Sequence, residues 1–213
     1  MSPATTARVV LATGNPGKLA ELRRLVGDRL EVLGLADLPA YPEPAETEST
    51  FEGNALIKAR AGVAATGLAC LADDSGLEVD VLNRMPGVRS ARWAGPGASD
   101  SDNLQLLLRQ VEDVEEARRT ARFVCAVAIA LPDGCTEVVR REWEGWLTTA
   151  PAGENGFGYD PVFVPEGHTL TSAQLSPEEK DALSHRGQAV RAAVPVLLGL
   201  LGVEATGPEE ATR

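Results

Sequence analysis

The sequence predicts a mixed α/β fold, and three stretches carry that prediction. Arg8-Val9-Val10-Leu11-Ala12 is a short apolar run that passes through a glycine turn into a helical pattern, Leu19 to Val26, stopped by Gly27. Leu68 to Ala72 is a second apolar run of strand length, preceded by a helical stretch from about Phe51 to Ala65 that ends at Gly67. Arg122 to Leu131, the turn Pro132-Asp133-Gly134, and Cys135 to Leu147 form a β-hairpin with long arms. A chain of 213 residues buries a sizeable core as one domain or as two tightly joined lobes.

Composition excludes several functions. The formal net charge of −11 makes the chain a poor partner for nucleic acid or an anionic membrane, because such binding neutralises many phosphates at once. A small polyanion is still admissible if a few Lys and Arg converge or a divalent cation mediates. The apolar runs are too short to span a bilayer, and Met1 to Arg8 hold no apolar signal segment, so a cytoplasmic protein is expected. Cys70, Cys125 and Cys135 form no C-x-x-C pair, and the first two read as buried, inert thiols. His168 and His185 are the only histidines, which argues against a structural zinc site.

Along the chain, Thr13-Gly14-Asn15-Pro16-Gly17-Lys18 joins the first strand to a helix start, where free N–H groups and the helix dipole favour an anion. It is not a Walker A loop, since two residues separate Gly14 from Gly17 and Leu19 replaces the magnesium-binding hydroxyl. Residues 36 to 50 form a Pro- and Glu-rich loop in which Glu46 is either a solvated acid or a metal ligand. Ser49-Thr50-Phe51-Glu52 fits a capping box, which makes Glu52 a helix cap rather than a ligand. The strand Leu68 to Ala72 is expected to end in Asp73-Asp74-Ser75-Gly76, two adjacent carboxylates and a turn, with a separate half-buried strand at Leu77 to Leu82. Neighbouring side chains on an extended strand point to opposite faces, so Asp73 and Asp74 need not share a site.

Asn83 to Gly97 reads as a long loop whose Arg84, Arg89 and Arg92 either pair with the two carboxylates or a phosphate or are ordinary surface arginines, and Ser99 caps a helix carrying Leu104, Leu107, Leu108 and Val111. Glu112 to Arg119 reads as solvated, and Trp143 and Trp146 as core or interface. Gly156-Phe157-Gly158-Tyr159-Asp160 sits in a glycine-rich loop whose aromatics suit stacking on a flat ligand, with a plain structural turn as the alternative. Ser176-Pro177-Glu178-Glu179 starts a short helix carrying Lys180, and Ser184 caps another that opens with His185 and Arg186 and is interrupted or kinked at Pro195. A basic pair in a first turn opposes the helix dipole, which points to an anion or ligand edge at that spot.

These motifs together describe a nucleoside polyphosphate held by magnesium. In this order they also resemble the RdgB/inosine triphosphate pyrophosphatase family: Thr13 to Lys18, Phe51 to Arg60, Ala72 to Leu77, Gly87 to Arg92, Gly156 to Pro161, and Ser184-His185-Arg186. The resemblance covers residues 8 to about 200. It implies an elongated, two-lobed α/β fold over residues 1–203, with a long central mixed sheet flanked by helices and an active-site cleft between the lobes; residues 204–213 read on their own as a frayed acidic tail. It implies a homodimer that uses Mg2+ to hydrolyse ITP, dITP or XTP to the nucleoside monophosphate and pyrophosphate. By motif position, Asp74 is the general base and a metal ligand, Glu46 a second ligand, and Thr13, Gly14, Asn15, Pro16, Gly17 and Lys18 the triphosphate cradle. Ser75, Phe157, Gly158, Tyr159, Asp160, Lys180, His185 and Arg186 contact substrate in the same reading. One position departs: Gly53 stands where the family commonly carries an acid, which leaves the metal shell to Glu46 and Asp74. A haloacid dehalogenase-type phosphatase wants Asp-x-Asp in place of Asp73-Asp74, and a nucleotide sensor would bind without turnover.

Overall fold

The structure, a computed structural model, describes residues 7–13 and 16–203. Gly14, Asn15 and the 204–213 tail therefore lie outside the described residues. The elements are β1 (Ala7–Leu11), α1 (Pro16–Val26), β2 (Leu30–Gly34), α2 (Phe51–Thr66), β3 (Ala69–Val79) and β4 (Met85–Pro86). They continue with α3 (Asp100–Gln110), β5 (Thr120–Ala130), β6 (Thr136–Leu147), β7 (Phe163–Pro165), α4 (Pro177–Leu183) and α5 (His185–Leu200). Among the described residues seven strands form one mixed sheet, ordered β2-β1-β3-β5-β6-β7, with β4 added to β3. β1 is parallel to β2 and β3, whereas β3, β5, β6 and β7 pair antiparallel.

The helices cover both faces. Leu22 and Val26 of α1 and the Ala189, Val190, Ala193, Val194 and Leu197 stripe of α5 bury against Val9, Leu11, Leu71, Cys125 and Val127. On the opposite face, Phe51, Ala55 and Ala59 of α2 pack on Ala72, Val124, Ala126 and Ala128. Small residues on both partners bring α2 close to the strands, so its first turns reach the polar part of β3. A third cluster, including Leu77, Leu107, Phe123, Trp143 and Phe163, lies at the far end of the long strands beneath α3. Among the described residues, no helix is long and apolar enough to cross a membrane.

Several sequence expectations change here. Asp73 to Gly76 is not a turn: β3 runs without a break from Ala69 to Val79, paired residue for residue with β5 from Cys70↔Ala130 to Val79↔Ala121. A complete antiparallel ladder on that edge outweighs the local turn preference of Asp-Ser-Gly. Gly76 serves close approach instead, because a Cβ there would collide with the Ser90 hydroxyl and lie 2.7 Å from the Gly87 carbonyl. α2 is capped by Thr50, whose hydroxyl accepts from Gly53 N–H at 3.1 Å, so Glu52 is no cap and pairs with Arg140 at 3.0 Å. The 83–97 loop contains β4 and a 3₁₀ turn, Gly87–Arg92. Arg119 is buried rather than solvated and donates to the carbonyls of Glu112, Val114 and Thr148. α5 continues through Pro195 to Leu200.

Candidate active site

The site begins as a break in one edge of β3. β1 covers that edge only from Ala69 to Leu71, and the ladder closes where Ala12 N–H donates to the Leu71 carbonyl at 2.8 Å. β4 resumes pairing at Glu78. Among the described residues, 72–77 therefore have β5 on one side and no strand on the other. β1 ends here at Leu11 and α1 starts at Pro16, and the carboxyl ends of strands are where ligands of open α/β sheets collect.

On the face shared with α1 and α5, Asp73 is a buried carboxylate. Lys18 donates to both of its oxygens, at 2.7 and 2.5 Å, and Arg186 Nε lies 3.9 Å away. Burial alone would raise the Asp73 carboxyl, but Lys18 and then Arg186 hold it below the usual carboxylate range. Arg186 also donates to Ser75 Oγ at 2.9 Å, two residues along and on the same face. Two cations from two helices are thus anchored beside the break by one strand.

On the α2 face, Asp74 accepts from Asn54 Nδ2 at 3.3 Å and from Lys58 Nζ at 3.2 Å. Asn54 and Lys58 are one helical turn apart, so α2 presents both to the same carboxylate. Lys58 also pairs with Glu46 at 2.6 Å, and Arg92 reaches the other Glu46 oxygen at 2.9 Å. Burial, joined by the Glu46 charge, raises the Asp74 carboxyl against the pull of Lys58 and Asn54. Glu46, whose burial acts the same way, is held below its ordinary value by hydrogen bonds from Lys58 and Arg92. Two carboxylates sharing one ammonium make a hard-oxygen donor pair that suits a divalent cation. Among the described residues no third acid, His or Cys completes a cage. Such a partial set fits a small cation that keeps waters and takes phosphate oxygens as its remaining ligands.

Next to the Asp73 face is a cavity of about 360 Å³, whose walls include Lys18, Ser75, Phe157, Lys180, His185 and Arg186. The loop before α4 shapes it. Asp160 is 3 % exposed, and its oxygens accept from Ser172 Oγ at 2.7 Å, from Phe157 N–H at 2.8 Å, and from Lys180. Gly156 has φ +80°, and a Cβ there would run into Asp160 and Lys180, so the glycine answers both a backbone and a space requirement. Phe157 is 55 % exposed, with Lys180 and Arg186 at 5.3 and 5.2 Å from its ring centre. The buried Tyr159 hydroxyl donates to the Ser90 carbonyl at 2.8 Å, and burial with the nearby Asp100 charge pushes its pKa up.

His185 corrects the idea of a basic pair opening α5. It is buried and stacks on Phe123 with ring centres 4.9 Å apart and planes 9° from parallel. Burial, and behind it Arg186, Lys180 and Lys18, holds its pKa well below the usual histidine value. The imidazole is therefore neutral, and the charge in that first turn belongs to Arg186 alone. Its buried Nδ1 has no partner among the described residues.

The structure gathers Lys18, Ser75, Phe157, Gly158, Tyr159, Asp160, Lys180, His185 and Arg186 around one cavity, and sets Asp74 with Glu46 on the other face of β3. Thr13 stands at the break, with its N–H on the Leu11 carbonyl at 2.9 Å. Gly14 and Asn15 lie outside the described residues, and Pro16 and Gly17 open α1. Sequence reasoning missed Lys58 and Asn54; it offered Arg92 as a partner for the two aspartates or a phosphate, and the structure pairs it with Glu46 instead. The Asn54-x-x-x-Lys58 spacing on a helix ending beside β3 was the available signal for the two missed residues.

A mixed sheet broken beside two anchored cations on one face and two carboxylates sharing a lysine on the other makes this an α/β protein with a candidate site for an anionic ligand. The chain belongs to the Ham1 family, whose signature spans residues 9–196. It is 56% identical over 200 residues to a Nocardia farcinica protein named dITP/XTP pyrophosphatase, covering 92% of this chain and 97% of that one. A crystal structure of a Mycobacterium abscessus protein titled nucleoside-triphosphatase / dITP/XTP pyrophosphatase superposes with a TM-score of 0.77 at 54% identity, covering 88% of this chain and 99% of that one. A HAM1 protein from Coxiella burnetii superposes with a TM-score of 0.85 at 41% identity, covering 91% and 99%.

Proposed function

We propose that this chain is a dITP/XTP pyrophosphatase, which hydrolyses deaminated purine nucleoside triphosphates to the monophosphate and pyrophosphate. The observation that carries the reading is the break in the β3 edge, with Lys18 and Arg186 on one face and Asp74 with Glu46 on the other. A triphosphate crossing that break meets cations along its length and a raised carboxylate beside one phosphorus. In this reading the two large core clusters at opposite ends of the long strands form two lobes of an elongated molecule, and the substrate lies in the cleft between them. The working enzyme is proposed to be a homodimer, which light scattering tests.

Glu46 and Asp74 would hold magnesium, which supplies charge neutralisation at the phosphates. Asp74 orients a water toward the α-phosphorus and takes its proton as the new P–O bond forms. A cation beside Asp74 would lower its carboxyl, so in this reading its chief contribution is to orient the water. The bond to the bridging oxygen breaks, and pyrophosphate leaves with its charge held by Lys18, Lys180 and the N-terminus of α1. Asp73 keeps Lys18 and Arg186 aimed at the phosphates. Phe157 stacks on the base, while neutral His185 reads its edge. A site that donates to a six-oxo group leaves its donors unpaired against adenine, and discrimination of about 10⁴–10⁵ follows from that kind of mismatch.

The test is product identity. ITP, XTP, dITP, ATP and GTP are incubated with the enzyme and magnesium, and the released phosphate is identified. Pyrophosphate from ITP, XTP and dITP, with little from ATP, is the expected result; orthophosphate, or no turnover, overturns the proposal.

A further inference from the structure

The Phe157 loop is held over the cavity by two successive amides, each on a carboxylate. Phe157 N–H donates to Asp160 at 2.8 Å from within the loop, and Gly158 N–H donates to Asp100 Oδ2 at 2.8 Å from another element. Asp100 is the first residue of α3 and is exposed. Its backbone is placed by the cap just before it: Ser99 Oγ accepts from Asp102 N–H at 3.2 Å, and Asp102 accepts from Ser99 N–H at 3.0 Å. Gly158 has φ +61°, yet a Cβ there would meet nothing within 4 Å. The glycine is therefore present for its left-handed backbone rather than for space, and that conformation turns the N–H toward α3.

We propose that Asp100 is a positioning residue for the nucleotide reaction: its carboxylate latches the Gly158 amide and so holds Phe157 where a base stacks. The inference rests on the proposed function for its substrate, but the latch is a property of the chain. On the α4 side the loop is tied by Asp160 to Lys180 and by Asn155 to the Leu175 carbonyl at 3.0 Å. On the α3 side it is tied by Asp100 and by Tyr159 to the Ser90 carbonyl. Asp100 is the exposed one of this last pair, so its removal loosens Phe157 without opening the core. The acid's chemistry is also replaceable, because an asparagine carbonyl accepts the same N–H, whereas alanine accepts nothing.

Two variants and two readouts test this. Loss of one charge-assisted hydrogen bond predicts that Asp100→Ala raises KM for ITP by about tenfold and leaves kcat within about twofold. Asp100→Asn should stay within about threefold of the parent in both. In the absence of nucleotide, hydrogen exchange of the Gly158 amide should speed up by about tenfold in Asp100→Ala and return toward the parent rate in Asp100→Asn. Equal KM in all three proteins, an Asp100→Asn defect as large as that of Asp100→Ala, or unchanged exchange at Gly158 would each overturn the latch. The exchange arm needs no substrate, so a parent protein that failed to hydrolyse ITP would count against the proposed function while the exchange result still decided the latch.

Discussion

Asp73 and Asp74 are chemically identical neighbours on one strand, and the fold gives them opposite circumstances. Asp73 faces α1 and α5, where two cations hold it ionised. Asp74 faces α2, where burial and a second carboxylate oppose its charge and one lysine answers both acids. Strand alternation alone separates them. The difference teaches that a pair of acids in a sequence is not a site until the helices that pack on each face are known. In this account Asp73 spends its charge on holding the phosphate-binding cations, and Asp74 keeps its charge available for water.

The largest effect on stability is expected at Asp73. Asp73→Asn leaves Lys18 and Arg186 without their buried counter-charge and should cost about 3 kcal/mol, read from denaturant unfolding near neutral pH. The pH dependence should separate the neighbours by sign. The folded pKa of Asp73 is lowered, so its contribution is fully present above the ordinary value of 3.8 and is lost as pH falls through the folded value. The folded pKa of Asp74 is raised, so ionising it opposes folding above 3.8. Asp74→Asn should accordingly unfold at higher denaturant than the parent at neutral pH, with the gain vanishing in acid. If both variants shift in the same direction, the two-face comparison fails.

A smaller effect sharpens the α2 side. Lys58→Ala removes the ammonium shared by Glu46 and Asp74, and a loss of about 10–100-fold in kcat/KM for ITP is expected, as for other residues that orient metal ligands. Steady-state kinetics across magnesium concentrations would check it, and an unchanged magnesium dependence would speak against the shared-cation arrangement. Smallest is Gly156→Ala, which must take φ +80° and displace the Asp160–Lys180 pair. A cost of about 1–2 kcal/mol to loop placement should appear as a higher KM with kcat nearly unchanged.

Much of this was legible in the residues. Val9 to Leu11, the hairpin arms, and the caps Ser99, Ser176 and Ser184 are local patterns, and the structure keeps them. The alternation rule already hinted that Asp73 and Asp74 part ways. The continuous β3 was not legible, because Asp-Asp-Ser-Gly favours a turn locally and only the ladder with β5, far along the chain, overrides it. The thiols of Cys70 and Cys125 behaved as read: both are buried, and burial pushes each up to about 12. His185 was misread as a cation because its position in a first turn was visible while its stacking on Phe123 was not. The roles of Lys58 and Arg92 depend on where a Pro- and Glu-rich loop lays Glu46, which no periodicity encodes.

The division between the two aspartates is tested most directly by measuring kcat and KM for ITP with Asp73→Asn and Asp74→Asn side by side, under conditions where both are folded. A general base is worth about 10²–10⁴-fold, so Asp74→Asn should lose kcat on that scale with KM little changed. Asp73→Asn should raise KM and keep most of kcat. The reverse pattern, or an Asp74→Asn enzyme with near-parental kcat, would contradict the account.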